Sequence, residues 1–506
     1  MRTAHGVPEV RAAEHALMAL VPDGALMQRA AAGLASTCVG LLGRCYGSQV
    51  VVLAGTGDNG GDALFAGARL AARGARVTAI AVGTRLHEAG AAALGRSGGR
   101  VLDLAADPGS AERAVAGADL IIDGILGIGG HGGLREPAAS IAWRVGQASA
   151  AGAVVVATDL PSGVDADTGE VSGVAIMADV TVTFGTIKPG LLIDPGAGYA
   201  GTVELVDIGL GPHLPASPAV CALQLADAGA LLPRPGAESD KYRRGVLGVL
   251  AGSQRYTGAA VLSVGGAIRG GAGMVRLLSA PAAADVVRQH WPEAVITVLD
   301  PADGAPAAAA VEGAGRVQAW AAGPGLGTDD RAAELLAAVL ATPVPVLVDA
   351  DGLTVLSRRK DLLSSRPPGA PTLITPHAGE LARLLNGDHR DIEAHRLDSA
   401  RRAAAELGVT VLLKGSTTVV ASPEAGEPPF VNPTGTPWLA TAGSGDVLSG
   451  LAGALLAQGV QPVRAAGALA AFLHGLAGRL AARDAPIGAA DILAGLPEAF
   501  RLLGGD

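Results

Sequence analysis

Lysine is scarce in this chain. Of 38 lysines and arginines only four are lysines, and three of them, Lys188, Lys241 and Lys414, stand in glycine-rich turn contexts (KPG, KYRRG and KGST). Lys360 lies in a plain RRK run. A compact ammonium on a flexible stem fits tight sites that a planar guanidinium does not. In a chain that otherwise uses arginine, the turn lysines therefore mark places where that difference matters, unless the small number is chance. Asparagine is as rare, with three in all, and Asn59 sits in GDNGGD.

GTGDNG, Gly55 to Gly60, matches the GxGxxG pattern between a predicted strand and a predicted helix, which by itself predicts a dinucleotide pyrophosphate site. Two features oppose that reading. Asp58 and Asp62 place carboxylates where a diphosphate would lie, and the next predicted strand, ARVTAIAVGTR, ends without the acid that grips a ribose. Glycines, an amide and carboxylates suit a hard cation with oxygen ligands, alongside backbone amides facing a ligand. Two further strand ends converge on the same edge. Asp123 ends ADLIID ahead of the loop GILGIGGHGG, and Asp159 ends VVVATD ahead of LPSGVDADTG, with Ser162 a short turn later. Ligands of open α/β sheets bind at the carboxyl ends of strands. Each acid alone is equally explained as a helix cap or turn residue; the convergence of three strand ends favours an oxygen-rich pocket.

The second half carries another ordered series: KYRRGVLGVLAGS, GPGLG, VLVDADG, ITPHAGE, VLLKGSTTVVA and ATAGSGDVLSG. AGSGD, Ala442 to Asp446, is the sharpest of these. Small residues opening a helix leave backbone N–H groups free to hold a phosphate, and the helix N-terminus adds favourable partial charge. Asp446 at the end of that loop can activate a hydroxyl facing the phosphate, which is the logic of phosphoryl transfer. The competing reading makes Asp446 a cap after a glycine turn, and TPH around His377 is also an ordinary helix start.

These groups need elements to hold them. At 506 residues the chain exceeds one ordinary core, so two or more domains are expected. Its 49% hydrophobic and 17% charged residues exclude wholesale disorder, and a net charge of −9 argues against nonspecific nucleic-acid binding. No charge-free apolar run reaches about 18 residues, and charges interrupt the N-terminal stretch, so neither a membrane span nor a signal peptide is expected. Cys38, Cys45 and Cys221 are odd in number and lack CxxC spacing, which fits a reducing cytoplasm. From residue 48 to about 208, β-branched runs (SQVVVLAG, ARVTAIAVG, ADLIIDGIL, AVVVATDLPS, ADVTVTFG, GTVELVDIG) alternate with alanine-rich helical stretches, the pattern of a parallel sheet. GPHLPASP, residues 211–218, breaks the pattern as a linker. A second series follows, with GVLGVLAGS, MVRLLSA, VQAWAAGPG, VPVLVDADG, PTLITPH and VTVLLKGS as strands. The expectation is two α/β domains in tandem, 1–215 and 222–506.

GTGDNGGDALFAGARLAARG, IDGILGIGGHGG, TDLPSGVDADTGEVSG and ADVTVTFGTIKPGLL together resemble the NAD(P)H-hydrate epimerases, the YjeF N-terminal domain, over most of residues 10 to 210. The resemblance implies a Rossmann-like three-layer fold with Asn59, Asp123 and Ser162 as potassium ligands. It implies contacts to the hydrated nicotinamide nucleotide from Asp58, Asn59, Gly60, Gly61, Asp62, the loop Gly127, Ile128, Gly129, Gly130, His131, Gly132 and Gly133, and Asp159. Asp159 is the expected acid/base. Where family members often have NNGGDG, this chain has Asp58 and Ala63.

The second series resembles the YjeF C-terminal domain, the ADP- or ATP-dependent NAD(P)H-hydrate dehydratases of the ribokinase-like superfamily, over roughly residues 235 to 500. That implies nucleotide contacts from Lys414, Gly415, Ser416, Thr417, Thr418 and Gly445. Ala260, Gly327, His377 and Asp446 would meet the hydrate, with Asp446 as catalytic base and Mg2+ accompanying ADP. AGSGD stands for the family's usual GGTGD. The implied whole is a fused enzyme acting on NADHX and NADPHX, a cytoplasmic homo-oligomer for which family analogy suggests a tetramer, with no nucleic-acid or membrane partner. The alternative is a ribokinase-like small-molecule kinase carrying an N-terminal nucleotide sensor, since the fold does not fix the substrate.

Overall fold

A computed structural model describes residues 1–300 and 305–504. The chain forms two compact units, Thr3–Val220 and Cys221–Asp506, the latter joined by Met1–Arg2.

The first unit is built on a seven-stranded sheet. Its strands run, across the sheet, Arg100–Asp103, Arg76–Ala81, Gln49–Ala54, Leu120–Gly124, Val154–Thr158, Val180–Phe184 and Thr202–Val206. Every pairing is parallel. Consecutive apolar residues form the central strands because helices cover both faces. Val52 and Ile122 enter one core with Leu34, Leu64 and Leu70, while their neighbours Leu53 and Ile121 enter the other with Ile80 and Ile141. The chain order reverses between Gln49–Ala54 and Leu120–Gly124. This is the topological switch point, where an open α/β sheet leaves a crevice. The turn into the helix Asp58–Ala72 needs glycine there: a Cβ on Gly55 would lie 2.0 Å from the Ile125 carbonyl oxygen, and one on Gly60 2.3 Å from that of Gly55.

The second unit is built on a larger, mostly parallel sheet. Its parallel centre runs Thr410–Leu413, Thr372–Ile374, Val346–Val348, Ala319–Ala322, Val246–Leu250, Met274–Ser279 and Val295–Val298. Beyond Thr410–Leu413, the strands Thr418–Ala421 and Phe430–Asn432 add on antiparallel. Both predicted strand series are present. The sequence reading passed over Arg100–Asp103 and Val295–Val298, edge strands with little burial and so little apolar signal, and the short antiparallel pair.

Among the described residues two helices, Ala25–Leu42 and Val463–Ala482, are long and apolar enough to cross a membrane. Val463–Ala482 is mostly buried in the second unit's core, and Ala25–Leu42 buries its Ala30, Leu34 and Cys38 face in the first.

Candidate active sites

In the first unit the strand ends meet as their sequence positions suggest. Asp123 is fully buried near the end of Leu120–Gly124. Its Oδ1 accepts from Ser162 Oγ at 2.6 Å and from Ile125 N at 3.3 Å, and its Oδ2 from Ser162 N at 2.8 Å. Burial pushes this carboxyl up to about 6, against the opposing pull of those hydrogen bonds. Ser162 Oγ also accepts from Leu126 N at 2.9 Å, which ties it to the start of the glycine loop. Asn59 lies in the first turn of Asp58–Ala72, where a Cβ on Gly127 would come within 3.0 Å of its side-chain carbonyl. Its Nδ2 is buried without a hydrogen-bond partner. An amide, a hydroxyl and a carboxylate thus border one short segment, 123–127.

The loop itself is unevenly placed. Gly130 N donates to Gly127 O at 2.9 Å, and Gly133 crosses Gly173 so closely that a Cβ would fall 2.6 Å from its Cα. Ile128 packs on the core. His131 is exposed, 3.3 Å from Asp165.

Asp159 follows Val154–Thr158 at φ +65°. Its Oδ1 accepts from Lys188 Nζ at 2.5 Å, Thr183 Oγ1 at 3.0 Å and Phe184 N at 3.3 Å. Asp62 has an Oδ1 buried without a partner. Burial first, and then the charges of Asp159, Asp58 and Glu14, push its carboxyl well above the usual range. Glu14, from the helix Val7–Met18, is itself raised by burial, with Lys188 opposing. The sequence reading marked Lys188 by its scarcity but gave it no role, and nothing in the sequence singled out Glu14.

In the second unit, Gly443 at φ +86° caps the helix Ser444–Ala457, whose first turn holds Asp446. Burial pushes the Asp446 carboxyl up to about 7, with Asp349 adding to the rise and Lys414 opposing it. Lys414 Nζ donates to Asp349 Oδ1 at 2.7 Å and lies 3.7 Å from Glu380 Oε2. Burial alone would lower this ammonium's pKa; the charges of Asp349 and Glu380 outweigh it and hold the value up. Ser449 Oγ donates to Asp349 Oδ2 at 2.5 Å, linking the buried acid to the helix that carries Asp446. His474 Nε2 lies 3.0 Å from the Ser444 carbonyl oxygen, and burial holds its imidazole down at about 4, so it supports the loop as a neutral ring.

The remaining expected residues divide. Gly445 lies beside Lys414 and Asp349, and Gly327 N donates to Asp351 Oδ2 at 2.9 Å. The Lys414 ammonium is directed at Asp349 and Glu380, which leaves Gly415 and Ser416 as the exposed part of the KGSTT run; Thr417 and Thr418 are buried. Ala260 is wholly buried in the core, its methyl beside Gly252 and Ala283. His377 takes the structural part available to it. Its ring accepts from Gly379 N at 3.0 Å while the His377 backbone N–H donates to Glu380 Oε2 at 2.8 Å, a capping box for Ala378–Leu385. Asp349, quoted only within VDADG, is the centre of the cluster that sequence reasoning missed.

Residues 23–190 match the family described as YjeF-related protein N-terminus, and residues 247–495 the family described as NAD(P)H-hydrate dehydratase. The chain is 46% identical over 490 residues to the bifunctional NAD(P)H-hydrate repair enzyme of Mycobacterium leprae, covering 96% of this chain and 95% of that one. To the enzyme of the same name in Mycobacterium tuberculosis it is 47% identical over 472 residues, covering 92% and 91%. Among solved structures, a ribokinase-like superfamily protein from Enterococcus faecalis aligns with a TM-score of 0.50 at 26% identity, over 56% of this chain and 96% of that one. A Rossmann-type unit with an oxygen-lined switch point thus precedes a ribokinase-like unit with a glycine loop opening a helix, and the chain belongs to the bifunctional NAD(P)H-hydrate repair enzymes, which join an epimerase to a dehydratase.

Proposed function

We propose that Asp446 is the base of the dehydratase and Asp159 the acid/base of the epimerase, in one chain that restores NADHX and NADPHX to the working cofactors. The observation that carries this reading is the Asp446 carboxyl, raised to about 7 in the first turn of a helix opened by a glycine loop, beside Lys414 and Asp349; a base works best near ambient pH. Asp446 takes the proton of the C6 hydroxyl as that oxygen bonds to the terminal phosphorus of the nucleotide and the bridging P–O bond breaks. The C6–O bond then breaks with its electrons leaving on phosphate, the ring nitrogen's lone pair fills the gap, and loss of a proton from C5 restores the dihydropyridine. Phosphate departs far more readily than hydroxide. The free amides of Ser444–Ala457 would hold the phosphates. We read the nucleotide as ADP, with ATP as the alternative, and Mg2+ as arriving on its phosphates.

In the first unit the C6 hydroxyl leaves one face of the ring with help from the nitrogen lone pair and water returns to the other, Asp159 exchanging the proton. Asn59, Asp123 and Ser162 suit potassium: one carboxylate with two neutral polar side chains, each offering an oxygen, matches a singly charged ion. When bound, potassium supplies a fixed positive charge beside the loop 127–133. The buried, unpaired cysteines Cys38 and Cys221 support a reducing cytoplasm, and the family resemblance supports a homo-oligomer.

Two results are expected. Because Asp446 must be ionised to act, dehydratase kcat/KM should fall about tenfold per pH unit below about 7 and level off above it; a flat profile across that value contradicts the assignment. Exchanging potassium for lithium or caesium should change epimerisation alone, and equal effects on both activities count against the Asn59–Asp123–Ser162 site.

A further inference from the structure

Lys188 is 1% exposed, and its ammonium has three acceptors: Asp159 Oδ1 at 2.5 Å, Thr183 Oγ1 at 3.1 Å and the Phe184 carbonyl oxygen at 3.0 Å. All three of its hydrogens are therefore used. Thr183 Oγ1 passes its own hydrogen to Asp159 Oδ1, and Phe184 N adds a third donor to the same oxygen. Asp159 Oδ2 has no hydrogen-bond partner among the described residues, although the side chain keeps 11% exposure. One oxygen of the carboxylate is thus caged and the other is open.

A buried ion pair is a poor device for stability, because desolvating both charges offsets their attraction. What such a cage does well is fix geometry. Asp159 is held at φ +65°, a region where a non-glycine residue persists only if its surroundings over-determine it, and the Asp159 N to Val182 O bond at 2.8 Å with the Oδ1 cage does so. We propose that Lys188 is a positioning residue for epimerisation: by saturating Oδ1 it orients the Asp159 carboxylate so that Oδ2 alone exchanges the proton with the substrate oxygen. The inference rests on the reading of Asp159 as the acid/base.

The test compares Lys188→Ala, Thr183→Val and Asp159→Asn in the full-length protein, assayed for epimerisation and for dehydration of the S hydrate. Lys188→Ala should lower epimerase kcat roughly 100-fold, as misplacement of a reacting group does, with KM and dehydration little changed. Propylammonium, which restores the missing amine, should recover the rate in a concentration-dependent way that a merely structural role would not give. If Lys188→Ala does not fold, Thr183→Val, which removes one donor to Oδ1 and one acceptor from Lys188 at nearly constant shape, decides by a kcat loss of roughly tenfold. If Asp159→Asn is inactive while the folded Lys188 and Thr183 variants keep full kcat, the positioning assignment falls. If Asp159→Asn itself still epimerises, the reading beneath it falls.

Discussion

Asp446→Asn is expected to lower dehydration by roughly 100- to 10,000-fold, the usual contribution of a positioned acid/base, and to leave epimerisation at its full rate. Asparagine keeps the shape of the first turn of Ser444–Ala457 and the glycine loop ahead of it, so the phosphate-holding amides stay in place. The loss should therefore fall on kcat, with KM for the nucleotide unchanged or lower, since a carboxylate facing the phosphates has gone. The same substitution should not weaken the fold. A carboxyl whose folded value is about 7, against an ordinary 3.8, penalises the folded state at any pH where it is ionised in both states, and the penalty fades as pH falls from 7 toward 3.8. The variant should accordingly melt no lower than the parent at pH values above about 7, a trade of activity against stability common at active sites. Retained turnover in this variant would sink the assignment of the base.

Asp159→Asn should remove epimerisation by a comparable factor and spare dehydration of the S hydrate. Given a mixture of R and S forms, the variant should restore cofactor only to the extent of the S fraction and then stop. Asparagine also confronts Lys188 with a neutral partner in a fully buried setting, and breaking one side of such a pair costs about 3–5 kcal/mol. A lower melting temperature should thus accompany the loss in this variant, in contrast to Asp446→Asn. Continued epimerisation in a folded Asp159→Asn protein would leave the first unit without its proton carrier.

The two acids differ in how far the sequence disclosed their surroundings. Asp123 and Ser162 could be brought together by strand-end logic because parallel strands buried on both faces read as continuous apolar runs, LII and VVV, whose last residues share an edge. Lys188 could not be placed on Asp159 in the same way. The two are far apart in sequence and meet through a neighbouring strand and the turn beyond it, so only the scarcity of lysine hinted that Lys188 mattered. Asp349 was hidden for a similar reason: VDADG offers two acids, and which one turns inward to Lys414 and Ser449 is decided by packing. Ala260 and His377 are legible only through the family resemblance, which implies that both meet the hydrate; the residues by themselves show Ala260 buried by helix packing and the His377 ring engaged by a helix start. Short or exposed strands left too little periodicity to read.

The central claim, that one chain both interconverts the hydrates and dehydrates the S form, is tested most directly by following the absorbance of the reduced nicotinamide. Purified protein is mixed with R and S hydrates of NADH, magnesium and ADP, and the assay is repeated with ATP. Recovery of the whole reduced-cofactor signal is the predicted result. Recovery that stops at the S fraction would contradict an active first unit, and no recovery with either nucleotide would contradict the dehydratase itself.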